Sequence, residues 1–273
     1  MLYQSFLPSP PLQDFVRNYT LIHFQFGSDK PTPPKQRSPK PEEKITFYIN
    51  GGVTIIDPKT GRAEKPPSVS IYGHQREARI LKVSSEFDTL VVYFRPGILH
   101  KLMRQSALIV SGSFCDAEIF FGTEVRSINN QLMDTSAPLS RIQIVERFLY
   151  AKCTKLKTKD SVDQIANYLL ADPTSFSLET LSDEACLSSK QFYRRFNEQI
   201  GMNPKLFSRL SRFNHAYHYK LTHPHVSWSS VAQEFRYTDY HHLEKEFKEF
   251  AGQTPTNWIN THMTSPERML KLR

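Results

Sequence analysis

The chain has 273 residues, of which 39% are hydrophobic and 12% aromatic, enough to bury one large or two ordinary cores and to exclude global disorder. No apolar run approaches the roughly 20 residues of a membrane span, and the N-terminus lacks a secretory leader, so a soluble cytoplasmic protein is expected. Cys115, Cys153 and Cys186 form no CxxC pair, which favours a reducing compartment and predicts no metal site or other cofactor.

The net charge of +8 and the isoelectric point of about 9.3 favour a nucleic acid as partner. The charge is unevenly distributed, because residues 1–160 carry 22 basic and 15 acidic side chains whereas residues 161–273 carry 13 and 12. Any affinity of the nearly neutral C-terminal part for DNA must therefore come from the local placement of its charges.

The first 150 residues are predicted to be mainly β-structure. Runs rich in β-branched and aromatic side chains predict strands at residues 45–49, 53–56, 68–72, 78–83 and 89–94. The turn sequence Asn50-Gly51-Gly52 predicts that the first two strands form a hairpin. A short helix is predicted to begin at Ile98, and a small barrel or sandwich with appended helices is the expected architecture.

A Pro- and Lys-rich segment at residues 28–42 is predicted to be a mobile loop rather than a regular element. Its basic side chains could contact phosphate, although a solvated loop is the simpler interpretation. Those side chains are Lys30, Lys35, Arg37 and Lys40.

An amphipathic helix is predicted over residues 138–152. Its apolar stripe comprises Leu139, Ile142, Val145, Phe148 and Leu149. This helix could pack on the β-rich part or form a dimer interface, and the sequence leaves both open. The predicted organisation is a β-rich sensor or dimerisation domain at 1–155, a linker at 156–160, a helical domain at 161–262 and a tail at 263–273.

The helical domain is predicted to contain seven helices, at residues 162–170, 178–185, 190–199, 204–221, 227–235, 240–250 and from Pro255 onward. Two pairs, 178–185 with 189–199 and 227–235 with 239–250, have the short connection of a helix-turn-helix unit. The helix at 204–221 is long and joins the units. The fold class is therefore α+β, with a β-rich first domain and an all-α second one.

One pattern is written twice in this domain. The order Phe192-x3-Phe196-x4-Gly201-x2-Pro204-x2-Phe207 recurs fifty-one residues later as Leu243-x3-Phe247-x4-Gly252-x2-Pro255-x2-Trp258. Two copies of one helical unit at a fixed separation suit a long repetitive partner, and double-stranded DNA is the expected one.

The side chains between these repeated positions are the predicted DNA contacts. In a helix-turn-helix unit the N-terminal part of the second helix reads base edges, where Arg suits guanine, Asn suits adenine and Lys suits phosphate. The first unit offers Ser188, Ser189, Lys190, Tyr193, Arg194 and Asn197, and the second offers Asp239, Tyr240, His241, Lys245 and Lys248.

Residues 161–260 resemble the DNA-binding domain of the AraC/XylS family of bacterial transcription regulators. The matching positions of the first unit are Ser188, Phe192, Arg194, Phe196, Gly201, Pro204, Phe207, Arg212 and Ala216, and those of the second are Val231, Ala232, Tyr237, Asp239, His242, Leu243, Phe247, Gly252, Pro255 and Trp258. The resemblance implies two helix-turn-helix units in consecutive major-groove segments. It places base-reading positions at Lys190, Tyr193, Arg194, Tyr240, His241 and Lys245.

The chain departs from the family pattern in two ways. Cys186 and Arg236 stand at the turns of the two units, where the family usually has glycine in the second, and a left-handed backbone there would cost each about 1 kcal/mol. The helix at 239–250 also carries Glu244 and Glu246, which are predicted to be exposed. Carboxylates near phosphate repel it, so the second unit is expected to bind DNA more weakly than the first.

The β-rich domain has a weaker resemblance to the cupin-like domains that AraC/XylS proteins often carry, through residues 91–97 and the helix that follows. The cupin metal signature needs clustered ligands, whereas His23, His74 and His100 stand alone, so no metal is expected. The sequence identifies no ligand-binding residue.

The predicted function is a sequence-specific DNA-binding transcription regulator that is modulated through its N-terminal domain. RNA polymerase, a small-molecule effector and a second copy of the chain are further predicted partners. The alternative is a small-molecule-sensing or dimerisation module in which ligand binding is the main activity. An enzyme is not expected, because no nucleophile elbow, phosphate-binding loop or dinucleotide fingerprint occurs in the sequence.

Overall fold

The computed structural model describes residues 2–26, 32–156, 160–174 and 177–263. Within these ranges ten strands form two antiparallel sheets: β1 (Leu2–Phe6), β2 (Val16–Gln25), β3 (Lys35–Arg37), β4 (Glu43–Asn50), β5 (Val53–Ile56), β6 (Ala63–Glu64), β7 (Val69–Tyr72), β8 (Arg79–Val83), β9 (Glu86–Phe94) and β10 (Phe114–Asp116). The six-stranded sheet has the order β1-β2-β9-β4-β7-β10 and the four-stranded sheet β3-β8-β5-β6.

The described helices begin after β9. They are α1 (Ile98–Met103), α2 (Glu118–Phe121), α3 (Glu124–Met133), α4 (Pro138–Cys153), α5 (Ser161–Ala171), α6 (Leu178–Glu184), α7 (Ser189–Ile200), α8 (Pro204–Thr222), α9 (Trp228–Glu234), α10 (Tyr240–Ala251) and α11 (Pro255–Met263). The predicted α+β fold class and the helices of the C-terminal domain are confirmed. None of the described helices is long and apolar enough to cross a membrane.

Three groups of buried side chains hold these elements together. The first lies between the six-stranded sheet and helices α1, α3 and α4, and includes Ile45, Leu90 and Val145. A smaller group around Phe24 and Phe87 lies between the two sheets. The third fills the helical domain from α5 to α11. The predicted boundaries of domains, linker and tail stay predictions, since residues 157–159 and 264–273 lie outside the described part.

The predicted hairpin at residues 45–56 is wrong. Strand β4 pairs with β7 and β9, whereas β5 pairs with β6 and β8 in the other sheet. Gly51 has a φ of 72°, and a side chain there would lie 2.0 Å from the carbonyl oxygen of Glu86. The Gly-rich segment is therefore a corner at which the chain passes from one sheet to the other, packed against the start of β9.

The predicted loop at residues 28–42 is also partly wrong, since it contains β3, which pairs with β8. Its basic side chains Arg37 and Lys40 face Glu42 at 3.9 and 3.6 Å. These two side chains therefore belong to a group of ion pairs around Glu42 and not to an exposed loop. Lys30 lies outside the described residues. Strands β1, β2, β6 and β10 were not predicted either.

Helix α4 packs on the β-domain, as one of the two interpretations proposed. Four residues of its apolar stripe, Ile142, Val145, Phe148 and Leu149, are buried in the first core. Leu139, the fifth, lies in the first turn of the helix and is 64% exposed. The dimer role of this helix stays a prediction.

The two domains share a polar contact surface. Lys101 of α1 forms an ion pair with Asp163 of α5, whose side chain is almost fully buried. Asn214 of α8 donates a hydrogen bond to the carbonyl of Pro39 at 3.0 Å. Gly97 precedes α1, and a side chain there would lie 2.0 Å from Asp163. The first helix of the helical domain thus packs directly on the β-domain.

This surface makes stability depend on pH through Asp163. Burial raises the pKa of Asp163 to about 6 despite the attraction of Lys101, whereas its ordinary value is 3.8. The folded protein therefore holds this proton more tightly than the unfolded chain, so the contribution to stability grows as pH falls and is lost as pH rises through about 6. Between pH 7 and pH 5 the gain is about 1 kcal/mol.

The Asp163→Asn variant should lack this increase in the free energy of unfolding between pH 7 and pH 5. The measurement is urea unfolding of both proteins at pH 5, 6 and 7, because subtracting the variant's curve removes the contribution of other titrating groups. Parallel curves for the two proteins would contradict the assignment.

Candidate nucleic-acid interface

The two helix-turn-helix units are built from helices with matching caps. In the first unit Ser188 accepts the amide of Gln191 at 3.3 Å while the Gln191 side chain accepts the amide of Ser188 at 3.1 Å, which completes a capping box. In the second unit Asp239 accepts the amide of His242 at 2.8 Å. Each cap fixes where the second helix of its unit begins.

The repeated pattern is structural. Its large apolar members, Phe192, Phe196, Phe207, Leu243, Phe247 and Trp258, are all buried in the helical core. Gly201 and Gly252 end α7 and α10 with φ values of 79° and 72°, a left-handed conformation that glycine adopts without strain. Pro204 and Pro255 open the following helices. The pattern orients α7 and α10 and leaves their opposite faces for contact with a partner.

The turns of the two units have the same geometry. The amide of Cys186 bonds to the carbonyl three residues back at 2.9 Å and that of Leu187 to the one five residues back at 3.0 Å. Arg236 and Tyr237 repeat this pair of bonds at 3.1 and 2.8 Å. Cys186 and Arg236 have φ values of 54° and 53°, so both occupy the left-handed position of a Schellman motif that favours glycine.

Cys186→Gly and Arg236→Gly should therefore each raise the free energy of unfolding, by about 1 kcal/mol at most. Gly201→Ala is the matched reverse change and should lower it, because Gly201 is also left-handed and a side chain there would lie 2.9 Å from the carbonyl oxygen of Ala107. Urea unfolding followed by circular dichroism measures all three. A destabilising Arg236→Gly would show that the arginine side chain has a stabilising contact that outweighs the strain.

The outward face of α7 is basic. Ser188, Ser189, Lys190 and Arg194 are exposed, Tyr193 is 44% exposed, and Asn197 is half-buried. Neither Lys190 nor Arg194 forms an ion pair with any carboxylate of the described residues. The predicted side chains of this unit thus share one surface, and its two cations are uncommitted.

The outward face of α10 is more balanced. Asp239, His241, Lys245 and Lys248 are exposed and Tyr240 is half-buried, its ring 5.9 Å from that of His241. Lys248 pairs with Glu244 at 3.2 Å, which neutralises both. Within the described residues Lys245 has no carboxylate partner, and it is the remaining cation of this face.

Glu246 does not lie on that face, contrary to the prediction. It is 2% exposed and accepts hydrogen bonds from Arg209 and Arg212 of α8, both at 2.9 Å, and from the hydroxyl of Tyr237, also at 2.9 Å. Burial and the neighbouring carboxylate raise the pKa of Tyr237 well above its ordinary value. The phenol therefore stays protonated and donates a hydrogen bond to Glu246. The second unit therefore presents one carboxylate fewer to phosphate than predicted.

The sequence contained a signal for this correction. Glu246 stands three residues after Leu243 and one before Phe247, which places it on the buried stripe of the helix. Sequence reasoning assigned it to the surface because of its charge alone. Its partners Arg209 and Arg212 lie 34 or more residues away, on a helix whose packing angle the sequence does not determine.

Comparisons with known proteins support this architecture. Residues 181–261 match the sequence family described as Helix-turn-helix domain, and residues 4–112 match one described as a domain of unknown function (DUF6597). Residues 181–261 thus form a helix-turn-helix domain of the AraC type. The resemblance inferred from the repeated pattern is confirmed, and the general function of this AraC-type protein is that of a DNA-binding transcription regulator.

Solved structures give the same overall fold. ToxT from Vibrio cholerae with a bound unsaturated fatty acid is 11% identical, with 89% of this chain and 95% of that chain covered and a TM-score of 0.50. ToxT bound to (E)-4-(8-methylnaphthalen-1-yl)but-3-enoic acid is 10% identical, with 96% and 100% covered and a TM-score of 0.50. At this identity the likeness establishes the fold alone. No curated protein sequence matches the chain.

A second candidate site is a cavity of about 160 Å³ inside the β-domain. Its walls come from both sheets. One part is apolar and includes Ile22, Phe24, Leu81 and Phe87, and the other is basic, with Lys35, Arg37, Lys40 and Lys44. Helix α8 of the AraC-type domain closes one side through Tyr217, His218 and Leu221. A molecule bound here would contact both domains.

Lys44 is the most deeply buried of the basic side chains that line this cavity. The residue is 3% exposed, and its ammonium lies 5.1 Å from the ring centre of Tyr72 and 5.7 Å from that of Tyr93. It forms no ion pair with a carboxylate of the described residues. In contrast, Glu42 is held ionised by Lys40, Arg17 and Arg37, which lower its pKa against the effect of burial. Sequence reasoning did not single out Lys44, because alternation along a strand does not reveal an enclosed cavity.

Proposed function

We propose that this protein regulates transcription by binding a specific DNA sequence with α7 and α10 in successive major-groove segments on one face of the duplex. The main support is that both helices are capped, bury one face in the core and expose cations on the other. Within the described residues these cations have no carboxylate partner: they are Lys190 and Arg194 on α7 and Lys245 on α10. Arg194 is proposed to read guanine and Lys190 and Lys245 to contact phosphate or guanine. The domain is nearly neutral, so these local charges supply the attraction to DNA.

The test is selection of binding sites from random duplex DNA with the full chain, followed by affinity measurements at several salt concentrations. The expected result is an enriched site with two short motifs about one helical turn apart, and an affinity that falls steeply with salt. A flat preference with no enriched motif would count against the proposal, because phosphate contacts alone carry no sequence information.

We further propose that an effector occupies the cavity beside Lys44 and modulates DNA binding. An ammonium buried without a carboxylate is costly, and the two aromatic rings offset only part of that cost. The apolar walls fit a hydrocarbon group and Lys44 fits a single carboxylate. An apolar carboxylic acid is therefore the proposed ligand class, and the fatty acid in the ToxT structure belongs to the same class.

A fatty acid such as palmitoleate should therefore raise the melting temperature of the full chain, by about 5 °C at a hundred times its Kd. Its methyl ester should raise it much less, since the ester lacks the charge that Lys44 would pair with.

The matched variants are Lys44→Met, which should abolish the difference between acid and ester, and Lys82→Met, which should keep it. Lys82 is an exposed lysine on β8 outside the cavity. Equal shifts for acid and ester in the unaltered protein would exclude a carboxylate ligand.

The alternative, a module whose main activity is ligand binding, is favoured by the same cavity. It predicts effector binding without any selected DNA motif, so the two experiments together distinguish it from the regulator.

A further inference from the structure

One short loop of the β-domain contacts the C-terminal ends of both α7 and α10. The loop comprises residues 73–78 and connects β7 to β8. The guanidinium of Arg76 donates a hydrogen bond to the carbonyl of Gly201, the residue that ends α7, at 2.9 Å. The amide of Ala78 donates to the carbonyl of Phe250, in the last turn of α10, at 3.1 Å. Arg76 and Ala78 are two residues apart, so their Cα atoms lie within about 7 Å of each other.

The loop itself is firmly attached to the β-domain. Gly73 packs so tightly that a side chain there would lie 2.4 Å from the carbonyl oxygen of Val110. The carbonyl of His74 accepts the amide of Gly112 at 2.8 Å, and the amide of Gln75 donates to the carbonyl of Lys40 at 3.2 Å. A loop bonded on both sides can hold the helix ends in a defined position.

The buried ring of His74 extends the contact to the helix between the two units. It lies edge-to-face against Phe207 of α8, with ring centres 5.4 Å apart, and its other neighbour is the carboxylate of Glu43 at 3.3 Å. A second donor supports the end of α7, because the hydroxyl of Ser111 bonds to the same Gly201 carbonyl at 2.5 Å. The loop therefore contacts α7, α8 and α10.

We propose that residues 73–78 form a clamp that sets the separation of the two DNA-reading helix ends, with Arg76 as the positioning residue. This inference rests on the proposed function. Both helices have 12 residues, so their N-terminal reading ends lie about 18 Å from the clamped ends. A tilt of about 10° at the clamp moves a reading end by about 3 Å, close to the 3.4 Å rise of one base pair. The clamp thus controls which spacing of half-sites the protein accepts.

The clamp also connects the cavity to the reading helices. Strand β8 begins at Arg79, directly after the loop, and its side chains Leu81 and Val83 line the cavity. A ligand that displaces these side chains shifts the strand that leads into the clamp. Effector binding then changes the half-site spacing that the protein accepts. The bases read within each half-site stay the same.

The direct test measures the distance between α7 and α10 by pulsed electron paramagnetic resonance on the full chain. Spin labels go on Arg195→Cys and Lys248→Cys, both exposed, in a background with Cys186→Ser and Cys115→Ser and the buried Cys153 retained. The unaltered loop should give one narrow distance distribution, and Arg76→Ala a distribution at least twice as wide. Arg76 is exposed, so its removal should leave the fold intact.

The matched control is Arg62→Ala, because Arg62 is also exposed and pairs with Glu64 of the β-domain at 2.7 Å, outside the loop at 73–78. It should keep the narrow distribution. Arg76→Ala with Ser111→Ala should widen the distribution further, since both donors to Gly201 are then absent. A distribution that is unchanged in the double variant overturns the clamp.

The functional test places the two selected DNA motifs at separations that differ by single base pairs. The unaltered protein should prefer its best separation about tenfold over the neighbouring ones, and Arg76→Ala should reduce that preference to about threefold without changing the bases selected within each motif. A wider distance distribution with an unchanged spacing preference also overturns the inference. If no motif is selected at all, the proposed function fails, while the distance measurement still decides whether the clamp exists.

Discussion

Replacing Glu246 with alanine should lower the free energy of unfolding by about 3 kcal/mol. The change leaves Arg209, Arg212 and the hydroxyl of Tyr237 without the buried carboxylate that joins them. The two arginines are 30% and 17% exposed, so water can solvate them in part, and the lower end of the range for breaking a buried ion pair applies. Urea unfolding followed by circular dichroism measures the effect.

Glu244→Ala is the matched control on the same helix. Within the described residues Glu244 pairs with Lys248 alone, which is exposed, so the loss of Glu244 should change stability by less than about 0.5 kcal/mol. Glu246→Gln should fall between the two, because the amide keeps the volume and one acceptor oxygen. Similar effects for Glu244→Ala and Glu246→Ala would mean that the buried network contributes nothing to stability.

The network also has a consequence for DNA binding. It joins α8 to α10 and so fixes the second unit relative to the helix between the units. Glu246→Ala should therefore weaken selection of the second DNA motif more than of the first, although Glu246 is too deeply buried to contact DNA itself.

Arg194→Ala should weaken binding to the selected site by about 1–3 kcal/mol and relax the preference at one base pair. An arginine that bonds to both acceptors of a guanine discriminates among bases, so its loss removes information as well as attraction. The measurement compares affinities for the selected site and for sites substituted at each position of the first motif.

Arg195→Ala is the control with the same loss of charge. Arg195 is exposed but lies about 100° around the helix from Arg194, outside the stripe formed by Lys190, Arg194 and Asn197. It should reduce affinity slightly and equally for all sequences. If both variants relax the same base position, the effect comes from the electrostatic field of α7 and not from a direct base contact.

The helical domain could be predicted well because its signals are local. Ser188 and Asp239 mark the starts of α7 and α10, and Gly201 and Gly252 mark their ends. Each does so through hydrogen bonds to residues no more than four positions away. The left-handed turns at Cys186 and Arg236 followed from the position that glycine usually holds, and both residues have positive φ. The repeated spacing of buried Phe, Leu and Trp then required the two units to be alike.

The β-domain was predicted less well because its signals depend on distant partners. The Asn50-Gly51-Gly52 segment has the composition of a hairpin turn, yet the strands on either side of it belong to different sheets: β4 pairs with β7 and β9, and β5 pairs with β6 and β8. The short β3 was hidden in a Pro- and Lys-rich stretch, and it forms a strand because β8 offers it an edge.

The sequence by itself determined that this protein has two capped helix-turn-helix units and that Lys190, Arg194 and Lys245 face away from the cores of those units. Local hydrogen bonds and the 3.6-residue period of the helix are sufficient for that. Only the tertiary structure decided that Glu246 is a buried link to α8, that Lys44 lines a cavity between the two sheets, and that the loop at 73–78 contacts the ends of α7 and α10. Each of these depends on groups brought together from separate parts of the chain, and such contacts are set by the packing of whole elements.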